Sequence, residues 1–148
     1  MTNLANDAWE ALLSAHAVLM KQFAAEDIWA DVSMREYDVL YTLSKCEDSI
    51  NMTELNRHVL LSQPALSRLV DRLAERGLVE RCSDPADGRG VRLSLTEDGR
   101  ALQRQVGRQH ARGVARAMTA GLNPGEMKQL ETICLKLAGH DQNGDPHS

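Results

Sequence analysis

Three arginines carry the most suggestive chemistry in this chain, because each stands among small residues that would let it approach another molecule closely. Arg68 and Arg72 are four residues apart, and Arg89 lies between two glycines. A guanidinium group can form two parallel hydrogen bonds with guanine, and it also binds phosphates and narrow DNA grooves. The residue types therefore indicate a nucleic-acid contact, although a purely solvated face would have a similar composition.

The element that must carry Arg68 and Arg72 is predicted to be a helix over residues 63–76. Ser62 can cap the start of this helix, and Pro64 is tolerated in the first turn, where its missing N–H would have no partner in the helix. Gly77 can adopt the left-handed backbone conformation that often ends a helix. Apolar residues at positions 66, 69, 70 and 73 share one stripe. The opposite face is left to the two arginines and to short side chains, so the helix could lie deep in a major groove.

The segment after this helix is predicted to form a hairpin with a long loop. Residues 79–83 and 91–95 have strand composition, and apolar and polar residues alternate in the second of them. The connection from Asp84 to Gly90 is rich in turn-forming residues and too long for a two-residue hairpin. An arginine in such a loop is by itself weak evidence of a DNA contact. The evidence is stronger here because the loop directly follows a helix that could enter a groove.

Residues 52–99 resemble the winged helix-turn-helix core of the MarR family of bacterial transcription regulators. The resemblance implies a mainly α fold with a small β-hairpin wing, in which residues 33–99 form the DNA-binding lobe. The flanking helices match in length and order, so the resemblance spans about residues 4–138. The matching segments are Met52-Thr53-Glu54-Leu55, Ser62-Gln63-Pro64-Ala65-Leu66-Ser67-Arg68, Leu73, Gly77-Leu78-Val79-Glu80-Arg81, Asp84-Pro85, Asp87-Gly88-Arg89 and Leu93-Ser94-Leu95-Thr96-Glu97-Asp98-Gly99.

The resemblance also implies a role for each part of this lobe. Residues 53–60 would be the first helix of the helix-turn-helix, and residues 63–76 the recognition helix that reads bases in the major groove. Arg89 would enter the minor groove, while Asp87 would hold the wing in shape. The predicted DNA-binding residues are Thr53, Ser62, Gln63, Pro64, Ala65, Ser67, Arg68, Arg72, Asp87 and Arg89.

The net charge of −4 is unusual for a protein that binds DNA, but the charge is unevenly distributed. Residues 1–50 hold nine acids and three bases, whereas residues 93–120 hold five arginines and two acids. Residues 51–92 hold seven arginines and six acids, so the predicted DNA-facing part is only mildly basic. We therefore expect moderate affinity for each subunit, which makes binding by two linked copies necessary.

The helices outside the lobe are predicted to link two copies. Residues 4–29 and 100–138 would be dimerisation helices, because they are too long to bury their apolar faces on so small a lobe. Ser33 begins a segment with the sequence of a capping box, and Asn123 begins the last helix. Thr96 would cap the long helix. Residues 139–148 read as a disordered tail of this single-domain chain. In the family such helices intertwine, and we expect a homodimer on a pseudo-palindromic operator.

A small molecule is the first of three candidate signals for such a regulator. In the family, ligands often bind between the dimer helices and the DNA-binding lobe. His16, Trp29, Arg35 and Tyr37 lie in elements that would line such a pocket, and a small aromatic or phenolic effector would suit them. Simple packing roles, such as an interface histidine at position 16 and a tryptophan at a helix end, compete with this interpretation.

Oxidation and metal binding are the other two candidate signals. Cys82 follows Arg81 in a predicted strand, where a thiolate could be favoured, but a structural cysteine is the preferred interpretation. His58, His110 and Cys134 show no metal-ligand spacing, so no metal site is expected. The three cysteines are odd in number and lack C-x-x-C spacing, which argues against a disulfide framework.

The remaining composition narrows the class of protein. No nucleophile and base arrangement, phosphate loop or cofactor motif stands out, so we expect neither an enzyme nor a cofactor. There is no run of eighteen apolar residues and no signal peptide, which favours a cytoplasmic protein without a membrane segment. The sequence thus predicts a homodimeric DNA-binding regulator, most simply a repressor released by a small molecule. A redox-responsive regulator acting through Cys82 and a winged-helix protein-interaction module are the alternatives.

Overall fold

A computed structural model describes residues 3–84, 86, 88 and 90–139 of the chain. The described part is mainly helical with one small antiparallel sheet, which confirms the predicted fold class. The elements, in chain order, are α1 (Leu4–Ala24), α2 (Met34–Ser44), β1 (Ile50–Asn51), α3 (Met52–His58), α4 (Gln63–Glu75), β2 (Val79–Ser83), β3 (Val91–Leu95), α5 (Glu97–Gly121) and α6 (Pro124–Leu137).

The chain divides into two compact units, one ending at Ala111 and the other beginning at Arg112. The first unit contains the buried hydrophobic core, which α2, α3, α4, the sheet and the first half of α5 all supply. Its centre is fully buried and consists of Leu40, Leu55, Leu66, Leu73 and Leu93. In the second unit, α6 has no buried residue. The first unit therefore has its own packed interior, which holds α3, α4 and the hairpin in place.

The sheet has three strands in the order β1-β3-β2, and both pairs are antiparallel. Strands β2 and β3 have the predicted bounds, and Val79 lies opposite Leu95. Strand β1 was not predicted, because two residues are too few to show an alternating pattern. In β1, Ile50 lies opposite the buried Leu93 of β3. The central strand β3 is therefore paired on both sides.

Two helices end earlier than the sequence suggested. The first was predicted to reach residue 29 but ends at Ala24, and the Trp29 indole donates to the Phe23 carbonyl at 2.7 Å, which satisfies an acceptor of the last turn. The first helix of the helix-turn-helix was predicted to reach residue 60 but ends at His58. Val59 has an extended backbone, with φ −127° and ψ 143°, and its buried side chain joins the core.

The predicted helix starts and the predicted glycine stop are confirmed. Ser33 and Glu36 form a complete capping box at the start of α2, and Asn123 and Glu126 form another at the start of α6. Gly77 follows α4 with φ +72°. Among the described residues, no helix is both long and apolar enough to cross a membrane. The predicted tail lies outside the described residues from position 140 onward.

Candidate nucleic-acid interface

Helix α4, which the sequence predicts to be the recognition helix, has a buried stripe and an exposed face, as expected. Leu66, Leu69, Val70 and Leu73 are at most 4% exposed, so this stripe fixes the rotation of the helix about its axis. The Ser62 hydroxyl accepts a hydrogen bond from the Ala65 amide at 3.3 Å, which caps the first turn. The exposed face carries Gln63, Pro64, Ser67, Arg68, Asp71 and Arg72. Thr53 is also exposed, in the first turn of α3.

The charges on this face are not equivalent. Asp71 forms an ion pair with Arg81 of strand β2, so this carboxylate is neutralised within the chain. The side chains of Arg68 and Arg72 make no hydrogen bond or ion pair with any residue that the structure describes. Their guanidinium groups project from a rigid helix with their donors available. This arrangement suits binding of an anionic or acceptor-rich surface such as the edge of a DNA groove.

Arg92 anchors the base of the hairpin. Its Nε donates to the Ser49 hydroxyl at 2.7 Å, its Nη2 donates to the Ser49 carbonyl at 2.5 Å, and its Nη1 lies 3.7 Å from Asp84 Oδ2. The Asp84 amide donates to the Gly90 carbonyl at 3.0 Å across the loop. The predicted wing residues Asp87 and Arg89 lie outside the described residues, so their predicted roles remain predictions.

Both flanks of α4 are hydrogen-bonded to the first turn of α2 or to the residues just before it. Before α4, Arg35 Nη1 donates to the Leu60 carbonyl at 3.2 Å. After α4, Arg76 Nη2 donates to the Asp31 carbonyl at 2.6 Å and its Nη1 lies 3.4 Å from Glu36 Oε2. These bonds are partly exposed, so each contributes modestly, but together they fix the two ends of the recognition helix to one region of the lobe.

A cleft of about 800 Å³ opens between α1, α2 and α3. Arg35, Lys45 and Arg57 line it together with two histidines, against the acids Asp38 and Glu54. The pKa of Asp38 is raised above its usual value, chiefly because protein atoms desolvate the carboxylate, while the charges of His110 and Arg35 act in the opposite direction. The full lining is His16, Met20, Met34, Arg35, Asp38, Tyr41, Thr42, Lys45, Cys46, Ile50, Glu54, Arg57, His58, Val59, Leu60 and Leu61.

Two of the four predicted ligand-binding residues lie at this cleft and two do not. His16 and Arg35 line it. Trp29 and Tyr37 belong instead to an aromatic cluster with His110, in which their ring centroids lie 5.5 Å from the histidine ring. Burial of the Tyr37 phenol raises its pKa above the usual value, with an opposing hydrogen bond from Gln103. This cluster packs the end of the α1–α2 connection against α5.

The cysteines and the metal-ligating residue types form no recognisable site in the described part of the chain. Cys82 is exposed on β2 opposite Arg92, whereas Cys46 and Cys134 are half-buried, and all three are free thiols. No group of three or more histidine, cysteine or acidic side chains in residues 3–84, 86, 88 and 90–139 could hold a metal ion.

Comparison with known proteins identifies the family. The MarR family pattern matches residues 30–90. The multiple antibiotic resistance protein MarR of Salmonella typhimurium is 31% identical over 107 residues, which are 72% of this chain and 74% of that protein. The chain belongs to the MarR family. As a MarR-family protein it is a DNA-binding transcription regulator and not an enzyme.

Solved MarR-family structures agree with the fold along nearly the whole chain. AbsC of Streptomyces coelicolor is 27% identical, superposes with a TM-score of 0.79 and covers 95% of each chain. Sco3205 of the same organism, solved in complex with DNA, is 25% identical with a TM-score of 0.78 and covers 98% of this chain and 93% of its own. The winged helix fold of this MarR-family chain therefore extends through the flanking helices.

The anchoring arginines of this MarR-family protein were missed in the sequence, as was most of the cleft. Arg76 and Arg92 give no local signal, since their hydrogen bonds to Asp31 and Ser49 join residues more than forty positions apart. The residues of α2 that line the cleft can, however, be recognised by their spacing in the sequence. Arg35, Asp38, Thr42 and Lys45 follow the spacing i, i+3, i+7, i+10, which places them on one face of a helix.

Proposed function

We propose that this protein is a repressor that binds a pseudo-palindromic operator as a homodimer and leaves it when a small aromatic effector binds. The observation that carries the proposal is the exposed face of α4, where Arg68 and Arg72 have no partner among the described residues while the neighbouring Asp71 is neutralised by Arg81. A helix with this face suits the major groove.

The DNA-binding residues have different roles in this proposal. Arg68 and Arg72 contact base edges, and the small side chains of Pro64, Ala65 and Ser67 allow the helix to approach them. Thr53, Ser62 and Gln63 lie at the starts of the two helices, where their polar groups would meet the phosphate backbone. Asp87 and Arg89 lie outside the described residues, and for them the proposal follows the family resemblance, in which the arginine would enter the minor groove. The relative Sco3205 was solved in complex with DNA, which supports DNA binding by this fold.

The second copy of the chain would cover apolar faces of the flanking helices. In α1, Leu4, Trp9 and Val18 are 70%, 58% and 55% exposed. In α6, Ile133 and Leu137 are 57% and 72% exposed. Long amphipathic helices that leave such residues in water are typical of an interface that is absent from the isolated chain. Two-fold pairing through them would present two recognition helices to one operator, which compensates for the mildly basic surface of each subunit.

The cleft between α1, α2 and α3 supports an effector that is aromatic and anionic. Its volume of about 800 Å³ lies within the usual range of small-molecule sites. The aromatic ring of Tyr41 and the side chains of Met20 and Ile50 would contact an apolar body, while Arg35 and Lys45 would bind a carboxylate. His16, predicted from the sequence, lies on the α1 side of the cleft. Trp29 and Tyr37 would act indirectly, through the aromatic cluster that adjoins Tyr41.

Selection of genomic fragments by the purified protein tests this function. We expect enrichment of fragments that share an inverted repeat, and retention of two chains on each repeat. Addition of a library of aromatic carboxylates should then release some of these fragments. Enrichment without any shared sequence would contradict sequence-specific regulation, and binding of one chain per site would contradict the dimer.

A further inference from the structure

Two neighbouring residues of α2, Arg35 and Glu36, connect this helix to opposite flanks of the recognition helix. Arg35 donates to the Leu60 carbonyl on the N-terminal side of α4, and Glu36 accepts from Arg76 on its C-terminal side. Glu36 also takes part in the capping box with Ser33. The two connections differ in one respect, because Arg35 lines the cleft and neither Arg76 nor Glu36 does.

The turn that Arg35 contacts receives little support from the side chain of Leu60. That side chain belongs to a residue that is 86% exposed, so it contributes almost no packing. The Leu60 carbonyl comes two residues before Ser62, which caps α4. The hydrogen bond from Arg35 therefore adds a polar restraint where the chain enters the recognition helix, between the core contacts of Val59 and Leu61, and its removal would loosen that turn.

The same guanidinium is available to an anion in the cleft. A carboxylate is a stronger acceptor for arginine than a backbone carbonyl, and it can accept two hydrogen bonds at once. Asp38 stands one turn further along α2 on the cleft wall, but among the described residues it forms no ion pair with Arg35. An aromatic carboxylate that enters the cleft thus competes with the Leu60 carbonyl for Arg35.

We infer that Arg35 is the positioning residue that transmits occupancy of the cleft to the recognition helix, by exchanging the Leu60 carbonyl for the carboxylate of the effector. This inference rests on the proposed function, since it names the route by which an effector lowers operator affinity. One side chain, that of Arg35, lines the ligand site and also contacts the turn before α4. The signal therefore passes through a single residue and requires no refolding.

The test compares four proteins: the wild type, Arg35→Ala, Arg76→Ala and the control Arg104→Ala, which removes an exposed arginine of α5 outside the cleft. Operator affinity is measured by fluorescence anisotropy with and without benzoate. Arg35→Ala should weaken operator binding about two- to tenfold per subunit without benzoate, as expected for the removal of one hydrogen bond. Benzoate should weaken the wild type by a similar factor and should leave Arg35→Ala unchanged.

Arg76→Ala separates this role from simple support of the helix. It cuts the other connection, so it should also weaken operator binding, yet it should keep the benzoate response. Arg104→Ala lies in the predicted dimerisation segment and outside the cleft, so it should keep the benzoate response of the wild type. Should Arg35→Ala fail to fold, Arg35→Lys keeps the charge but not the fork of donors, and it should show a reduced benzoate response.

Hydrogen exchange of the amides at 60–66 supplies a measurement that does not depend on DNA. Benzoate should speed exchange there in the wild type, and Arg35→Ala should exchange fast without it. Unchanged exchange, wild-type operator affinity in Arg35→Ala, or no effect of saturating benzoate on the wild type would each overturn the inference. Failure of the wild type to bind any operator would instead contradict the proposed function.

Discussion

At the scale of single residues, six arginines of the DNA-binding lobe fall into two groups. Arg35, Arg76, Arg81 and Arg92 already donate to acceptors within the chain. Arg68 and Arg72 have no such acceptor in the part of the chain that the structure describes. The spacing of arginines in the sequence cannot make this distinction, since it does not show which acceptors the fold brings near. The distinction supports the proposal that the α4 pair contacts bases, whereas the other four hold segments of the lobe together.

Replacement of Arg68 and of Arg89 should affect DNA binding in different ways. Arg68→Ala should reduce the preference for the operator over random DNA, by about 1–3 kcal/mol for each base that the side chain recognises. Arg89→Ala should weaken binding to most sequences alike, because a minor-groove arginine responds to groove width more than to base identity. Competition binding with operator and random duplexes measures both, with Arg104→Ala as the charge-matched control. An unchanged preference in Arg68→Ala would contradict base reading by α4.

The candidate ligand residues show where residue-scale prediction fails. His16 and Arg35 lie at the cleft, whereas Trp29 and Tyr37 pack with His110, which comes from a distant segment of the chain. Helix periodicity can assign residues to a face. It cannot tell whether that face meets a cleft or an aromatic cluster, because the answer depends on which distant helix packs there.

At the scale of elements, the joint between α4, β2 and α5 explains the motif Leu95-Thr96-Glu97-Asp98-Gly99. The Thr96 hydroxyl donates to the Gly77 carbonyl at 2.6 Å and accepts from the Gly99 amide at 3.0 Å. The Thr96 amide donates to the Leu78 carbonyl at 3.2 Å. Thr96 therefore caps α5 and at the same time fastens it to the turn after α4, which couples the recognition helix to the long helix.

Gly99 should be the least replaceable glycine of this joint. A Cβ at position 99 would lie 2.0 Å from the Leu78 carbonyl oxygen, which is backbone and can move only with the turn. Gly99→Ala should therefore lower the free energy of unfolding by about 3 kcal/mol or more. Gly77→Ala, which strains a φ of +72° in open space, should lower it by about 1–2 kcal/mol.

Urea denaturation of the two variants measures this difference, and Gly121→Ala is the matched control. A Cβ at position 121 meets nothing within 4 Å, so its stability should equal or slightly exceed that of the wild type. Equal stability of Gly99→Ala and Gly121→Ala would contradict the close approach of α5 to the turn.

The elements themselves were largely predictable. The caps at Ser33 and Ser62, the stop at Gly77 and the alternation in β3 are local signals, and the structure confirms each of them. Strand β1 and the early end of α1 were not predictable, since both depend on partners outside the element itself. Ile50 pairs with Leu93, and the last turn of α1 is satisfied by the indole of Trp29.

At the scale of the whole molecule, the acidic net charge and the exposed apolar residues of α1 and α6 point to the same requirement. A single subunit with a net charge of −4 has little long-range attraction for DNA. Pairing of two subunits would bury residues such as Trp9 and Ile133 and would combine two modest interactions into one tight one. Sequence composition predicted two copies, but it did not identify which apolar residues of the flanking helices are exposed.

Hydroxyl-radical footprinting of a selected operator tests the central claim most directly. We expect two protected regions related by two-fold symmetry, with centres about one helical turn apart or a multiple of it. The variant Ile133→Glu, which puts a charge into the expected interface, should sediment as a monomer and lose both protected regions together. A single protected region under saturating wild-type protein, or a symmetric footprint from a monomeric Ile133→Glu, would contradict a dimeric DNA-binding regulator.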